Sequence, residues 1–234
     1  MAEHGHHHHS PDPDRRWLAA TLPFVRDQLP SPPARVLELG CGSLGGFVPA
    51  LRLEGYDAIG IDPEAPVGPE FHQVEFEQYE AGESADALVA STSLHHVADV
   101  HDVVDRIGRA LAPGGVVVVV EWAHELFDEP TAEWCFARLG ETDDGASWLH
   151  HRRDHWKESG QDWDSYRRAT LEDEGLHPAT AIVEALDARF ERLELTRGPY
   201  YFTALDGTSR EEEQAAIDAD EIRAGSVRFV GRMA

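Results

Sequence analysis

Cysteine is almost missing from this chain: Cys41 and Cys135 are the only two in 234 residues. Two thiols cannot build the disulfide framework of a small secreted domain, so a reducing, cytoplasmic setting is expected. Basic side chains are scarce as well, with 20 Lys and Arg against 44 Asp and Glu and a formal net charge of −24. A protein that grips phosphates needs clustered cations, so this balance argues against nucleic acid as a partner and suits basic or neutral small molecules. No window approaches the roughly 18 apolar residues that a membrane span requires, and no apolar secretory segment is visible, so no membrane partner is expected. Repeats and low-complexity tracts are lacking outside His4 and His6 to His9. Those histidines make residues 1–13 a disordered tail or a purification tag. What is left is an ordinary globular composition, 41% hydrophobic, over a length that can bury a full core. The oligomeric state stays open, with a homodimer as one expectation.

The stretch that organises the chain is Val36-Leu37-Glu38-Leu39-Gly40-Cys41-Gly42-Ser43-Leu44-Gly45-Gly46. An apolar run breaks into a glycine-dense turn, and Phe47 to Leu51 resumes as a helix. That pattern predicts a buried strand delivering the backbone to a ligand, with the N–H groups of the helix start free to face polar ligand atoms. Gly40-x-Gly42-x-x-Gly45 also satisfies the dinucleotide fingerprint, so the turn alone does not choose a cofactor. A second strand, Asp57 to Ile61, closes on Asp62, where a carboxylate can accept hydrogen bonds from ribose hydroxyls. Ala87 to Ser91 is a further strand running into Leu94-His95-His96. Leu111-Ala112-Pro113-Gly114-Gly115 then precedes an apolar strand from Val116 to Val120 that ends in Glu121.

Taken in this order, the Glu38-x-Gly40-x-Gly42 turn, the acid ending strand two, Leu94-His95-His96 and the Leu-x-Pro-Gly-Gly turn resemble the class I S-adenosylmethionine-dependent methyltransferases over residues 34–121. The resemblance implies a Rossmann-like, doubly wound α/β fold with a mostly parallel seven-stranded sheet and an antiparallel C-terminal edge. It implies S-adenosyl-L-methionine as cofactor, with Glu38, Gly40 and Gly42 at its methionine end and Asp62 at the ribose. Glu75 and Phe76 then fall on the adenine side, and Ser91 on the cofactor wall. The third glycine of the usual series is Leu44 here, with glycine displaced to Gly45 and Gly46.

Around this centre the chain divides into a cofactor-binding core over 14–121, a helical lid over 122–189, and edge strands with a helix over 190–234. Asp14 is the expected cap of a first helix that Pro23 kinks or splits; Trp17 on it reads as packing, with a cofactor contact as the alternative. Three prolines between Pro63 and Pro69 predict a loop. Strand three is expected over Phe71 to Glu75. Near the C-terminus come a strand from Phe190 to Thr196, an extended piece from Tyr200 to Leu205, a capping box at Thr208-x-x-Glu211 and a strand from Ser226 to Gly231.

The lid concentrates aromatics: Trp122, Phe127, Trp134, Phe136, Trp148, Trp156, Trp163 and Tyr166. Helices predicted over Asp128–Leu139, Ala146–Ser159 and Trp163–Glu174 would hold an apolar or aromatic small molecule, with Trp122, Trp148, His151, His155 and Trp156 as pocket residues. The competing expectation is that these rings form the lid's own core. His95, His96 and Glu121 are the candidate catalytic groups, imidazole because it titrates near neutrality. His151 and His155 lie one turn apart, but no third ligand is evident and no metal is expected. The expected activity is methyl transfer to an N, O or C atom of a small molecule. The alternatives are an NAD-dependent oxidoreductase using the same loop, and a non-methyl use of the sulfonium such as cyclisation.

Overall fold

The computed structural model describes residues 12–140 and 147–234. The histidines of the tail lie outside the described residues, as does Ala146, the expected first residue of a lid helix. Along the described chain run α1 (Pro13–Gln28), β1 (Arg35–Leu39), α2 (Val48–Leu53), β2 (Asp57–Ile61), β3 (Phe71–His72), β4 (Ala85–Ser91), α3 (Val100–Ala110) and β5 (Leu111–Trp122). Then come α4 (Glu129–Phe136), α5 (Trp148–Ser159), α6 (Trp163–Glu174), α7 (Ala179–Arg189), β6 (Glu191–Gly198), α8 (Arg210–Asp218) and β7 (Ser226–Arg232).

The strands form one seven-stranded sheet in the order β3-β2-β1-β4-β5-β7-β6. The first five are mutually parallel; β7 runs antiparallel to both β5 and β6. Chain order reverses between β1 and β4, and in open α/β sheets the crevice outside the strand ends at such a switch is where ligands bind. The central strands are apolar on both sides because helices cover both faces. Leu37, Leu88 and Val117 pack with Val103, Val104 and Ile107 of α3 and Ile182 and Leu186 of α7. Val36, Val89 and Val118 face Val25 of α1 and Val48 and Leu51 of α2. In α3 the apolar residues recur at helical spacing, and each fully buried side chain contributes roughly 1.5–3 kcal/mol.

Several local expectations are corrected. Asp12, not Asp14, caps α1, its side chain accepting from the Asp14 N–H. The helix continues through Pro23; Pro23 and Ala19, whose carbonyl loses its partner, are both exposed, so water can take the free acceptor. β3 stops at His72, and Phe76–Gln78 form a 3-10 turn. The stretch after β6 is a 3-10 turn, Tyr201–Ala204, rather than a strand. The buried Glu213 carboxylate draws the N–H groups of Tyr200, Tyr201 and Phe202 to one point at 2.7, 3.1 and 2.6 Å, which a sheet ladder cannot do. The capping box sits one residue later than expected, at Ser209 and Glu212. The loop between Pro63 and Pro69 contains no helix, as its prolines imply.

Candidate active site

β1 carries Glu38 into the sheet interior and releases the chain at Gly40, whose N–H donates to the Ile61 carbonyl at 2.8 Å. Four glycines of the turn, Gly40, Gly42, Gly45 and Gly46, have φ between +57° and +78°. Glu38 is 2% exposed, and its Oε2 accepts the Phe47 N–H at 2.7 Å. Burial pushes its carboxyl up to about 8 against the lowering effect of the Phe47 and Val48 backbone hydrogen bonds. A Cβ on Gly46 would lie 2.0 Å from Glu38 Oε1, so the displaced glycine is the one that lets this carboxylate fit beneath the turn. The expectation that the helix-start N–H groups face a ligand is therefore corrected at Phe47, whose N–H Glu38 engages from inside the protein, and at Val48, whose N–H donates to the Gly45 carbonyl at 3.2 Å.

Asp62, at the end of β2, ties the turn down from the other side. Its Oδ2 accepts the Gly42 N–H at 3.0 Å and its Oδ1 the Glu64 N–H at 2.7 Å. Gly42 itself points into open space, with nothing within 4 Å of where a Cβ would stand. Cys41 is buried beside both acids, and burial pushes its thiol up to about 12, where it is inert at neutral pH.

Two adjoining cavities open above the turn. The inner one, about 160 Å³, is lined by Asp14, Trp17, Glu38, Gly40, Gly42 and Ser91 among others. The outer cleft, about 910 Å³, takes in Gly40, Gly42, Asp62, Glu75, Glu77 and His96. Trp17 proves to be both packing and wall: it is 8% exposed and its Nε1–H donates to Ser91 Oγ at 2.9 Å. Thr92 lines both cavities with φ +52°, a left-handed conformation that a β-branched residue rarely adopts. Phe76 is not in the cleft wall. Its ring is buried in the core cluster with Leu88 and Val104, while Glu75 and Glu77 on either side face the cleft.

The three catalytic candidates separate. Glu121 is wholly buried; its Oε1 accepts the Ser93 and Leu94 N–H groups at 2.8 and 2.6 Å, and its Oε2 lies 2.6 Å from His95 Nδ1. His95 is 4% exposed. These two form a brace under the 93–96 turn, with neither lining the outer cleft. His96 alone opens into that cleft, its ring 4.1 Å from that of His95. Burial, then His95, pulls its pKa below the ordinary histidine value. His177, which sequence reasoning did not single out, clamps the same turn: its N–H donates to the His95 carbonyl at 3.0 Å and its ring Nε2 to the Val97 carbonyl at 2.8 Å. No residue spacing links His177 to that turn; the bend between α6 and α7 brings them together.

In the lid most aromatic rings face each other. Trp163 is fully buried against Phe127, Phe136, Trp156 and Tyr166, and its Nε1–H donates to the Phe127 carbonyl at 2.7 Å. Trp122 is 6% exposed and stacks on Tyr200 with centroids 5.6 Å apart. Trp156 packs in this satellite core, so its expected place in a substrate pocket is corrected. A groove of about 560 Å³ between α5 and α6 does hold Trp148, His151 and His155, together with Arg152, Tyr166 and Glu174. Its walls are thus mixed and charged rather than apolar. Among the described residues no group of three or more His, Cys, Asp or Glu side chains converges as a metal site.

A sheet of this order, with a glycine turn after β1 and an acid closing β2, is the fold of the class I S-adenosylmethionine-dependent methyltransferases. The methyltransferase-domain family matches residues 7–193. A ubiquinone biosynthesis O-methyltransferase from Azorhizobium caulinodans is 32% identical over 126 residues, 42% of this chain and 49% of that protein; the chain thus spans about half the length of this curated relative. A solved S-adenosylmethionine-dependent methyltransferase from Mesorhizobium loti aligns with TM-score 0.57 at 21% identity, over 91% of this chain and 97% of that one. The N-methyltransferase NodS from Bradyrhizobium japonicum, in complex with S-adenosyl-L-homocysteine, aligns with TM-score 0.51 at 16% identity, over 96% and 89%.

The chain belongs to the methyltransferase-domain family, and its cofactor is S-adenosylmethionine. The residues present fit that group. Gly42 leaves clear a cradle that any Cβ would enter, and the acids Glu38, Asp62 and Glu75 line a cleft suited to a cation with ribose hydroxyls. The nicotinamide alternative is not supported by these comparisons.

Proposed function

We propose that the protein transfers a methyl group to a small molecule seated in the lid groove between α5 and α6, with His96 as the proton acceptor. The observation that carries this is that His96 lines the donor cleft on a turn whose His95 packs against Trp122, and Trp122 in turn against Trp148 of the lid groove. The methionine end of the donor is assigned to the turn at Gly40 and Gly42, the ribose to Asp62 and the adenine to the side of Glu75.

When bound, the donor supplies a methyl group on a sulfonium that leaves as a neutral thioether. The protein's task is then placement and the exclusion of water. Glu38 and Asp62 fix the turn, Glu121 and His95 fix the 93–96 turn, and His96 takes the proton that an N–H or O–H acceptor must lose. With its pKa lowered, His96 is neutral and able to accept at pH 7. The groove's mixture of Trp148 and Tyr166 with Arg152 and Glu174 favours an amphipathic acceptor over a purely apolar one. The charge of −24 argues against nucleic acid as that acceptor.

The test is mass spectrometry of small amines, phenols and acids incubated with protein and S-adenosylmethionine, looking for a gain of one methylene on the acceptor. For an accepted substrate, His96→Ala should lower kcat about 10²- to 10⁴-fold while S-adenosylhomocysteine affinity stays within about twofold. In the wild type, activity should fall as pH drops below the ordinary histidine value and His96 becomes protonated. Donor consumption without any methylated acceptor would oppose the reading.

A further inference from the structure

We propose that Asp14, on the first turn of α1, receives the α-ammonium group of the donor's methionine tail. This rests on the assignment above, which lays that tail over Gly40 and Gly42.

The position of Asp14 is built from both sides. Arg16 anchors the start of α1, donating from Nη1 to the Thr203 and Leu205 carbonyls at 3.2 and 3.1 Å and from Nη2 to the Thr208 carbonyl at 2.9 Å. Trp17 anchors it to β4 through Ser91. Asp14, Trp17 and Leu18 are spaced i, i+3 and i+4, so they share one face of the helix, and all three line the inner cavity with Gly40 and Gly42. Asp14 also lines the outer cleft, so it stands where the two cavities join.

Its carboxylate is uncommitted among the described residues. The helix is capped by Asp12, so Asp14 is not needed for that purpose. The other carboxylate of the inner cavity, Glu38, already accepts the Phe47 N–H, and Asp62 accepts two backbone N–H groups. Among the described residues lining these cavities there is no Lys or Arg to pair with Asp14. Partial burial, then the neighbouring Asp12, raise its pKa, and much of the residue stays open to solvent. A role in the helix dipole alone would not require it to face the cavity.

Three ligands separate the possible roles, because each lacks one more cation. S-adenosylmethionine carries both sulfonium and ammonium, S-adenosylhomocysteine only the ammonium, and 5′-methylthioadenosine neither. Titration calorimetry of the wild type and Asp14→Asn against all three is the experiment. The expected result is a loss of about tenfold for both S-adenosylmethionine and S-adenosylhomocysteine, the scale of one charge-assisted hydrogen bond, with methylthioadenosine unchanged within about twofold. An unchanged S-adenosylhomocysteine affinity, or an equal loss for all three ligands, overturns the assignment. A wild type that binds none of them overturns the donor reading itself, and this assignment with it. Asp12→Ala removes the cap but leaves Asp14 in place; it should lower thermal stability without altering the ratio of S-adenosylhomocysteine to methylthioadenosine affinity, and a change in that ratio counts against Asp14.

Discussion

Glu38 is a carboxylate held near neutrality beneath a site for a cation. Buried with a pKa of about 8 rather than 4.5, it favours the folded protein while protonated, and that contribution is lost as pH rises from 4.5 through about 8. A positive charge entering the inner cavity stabilises its ionised form, so donor binding should expel a proton. The expected outcome is donor affinity rising between pH 6 and 8, by at most about tenfold per unit, together with release of up to one proton at pH 7. Calorimetry in two buffers of different ionisation enthalpy measures the release, and Glu38→Gln should abolish it. At the neighbouring position, Gly46→Ala puts a methyl group against the Glu38 carboxylate on a backbone with φ +57°. Left-handed strain and the displaced hydrogen bond should together cost about 2–4 kcal/mol, read as a shift of the urea midpoint at unchanged slope. A loss below about 0.5 kcal/mol would show that the turn tolerates a side chain there.

At the scale of elements, the motif-bearing strands were legible because their signals are local. The apolar run into Gly40, the acid at Asp62, the Leu-x-Pro-Gly-Gly turn and the alternation from Ser226 each sit inside one strand and its turn. What escaped was set by distant partners. Phe76 looks like a cleft residue by position in the chain, but a 3-10 turn swings its ring into the core. Tyr200 to Leu205 has strand composition, and only the Glu213 carboxylate, eleven to thirteen residues further on, explains why it is a turn. Asp14 is the cap expected from the sequence, and the geometry gives that role to Asp12 instead. The aromatic density of the lid is another such case, since composition cannot tell a lining from a core. Trp163→Ala should therefore act as a core deletion, costing about 3–5 kcal/mol by chemical denaturation while S-adenosylhomocysteine affinity stays within about twofold. A large loss of donor affinity with intact stability would place Trp163 in the site instead.

Across the whole molecule, three buried carboxylates repeat one device, two beneath the cleft and one behind α1. Glu38 holds the glycine turn, Glu121 the 93–96 turn, and Glu213 the 200–202 segment against which α1 is anchored. Each takes up backbone N–H that no helix or strand would satisfy, and so holds in one shape a loop that lines the cleft or backs it. The sheet supplies the crevice, these braces give it definite walls, and the acidic surroundings suit a cationic guest. Among the described residues no helix is long and apolar enough to cross a membrane. The most direct test of the account is a pair of calorimetric titrations of the wild-type protein, one with S-adenosylhomocysteine and one with NAD. The prediction is one saturable site for S-adenosylhomocysteine, weakened at least tenfold by Asp62→Ala, and no heat of binding with NAD; saturable NAD binding, with none for S-adenosylhomocysteine, would contradict it.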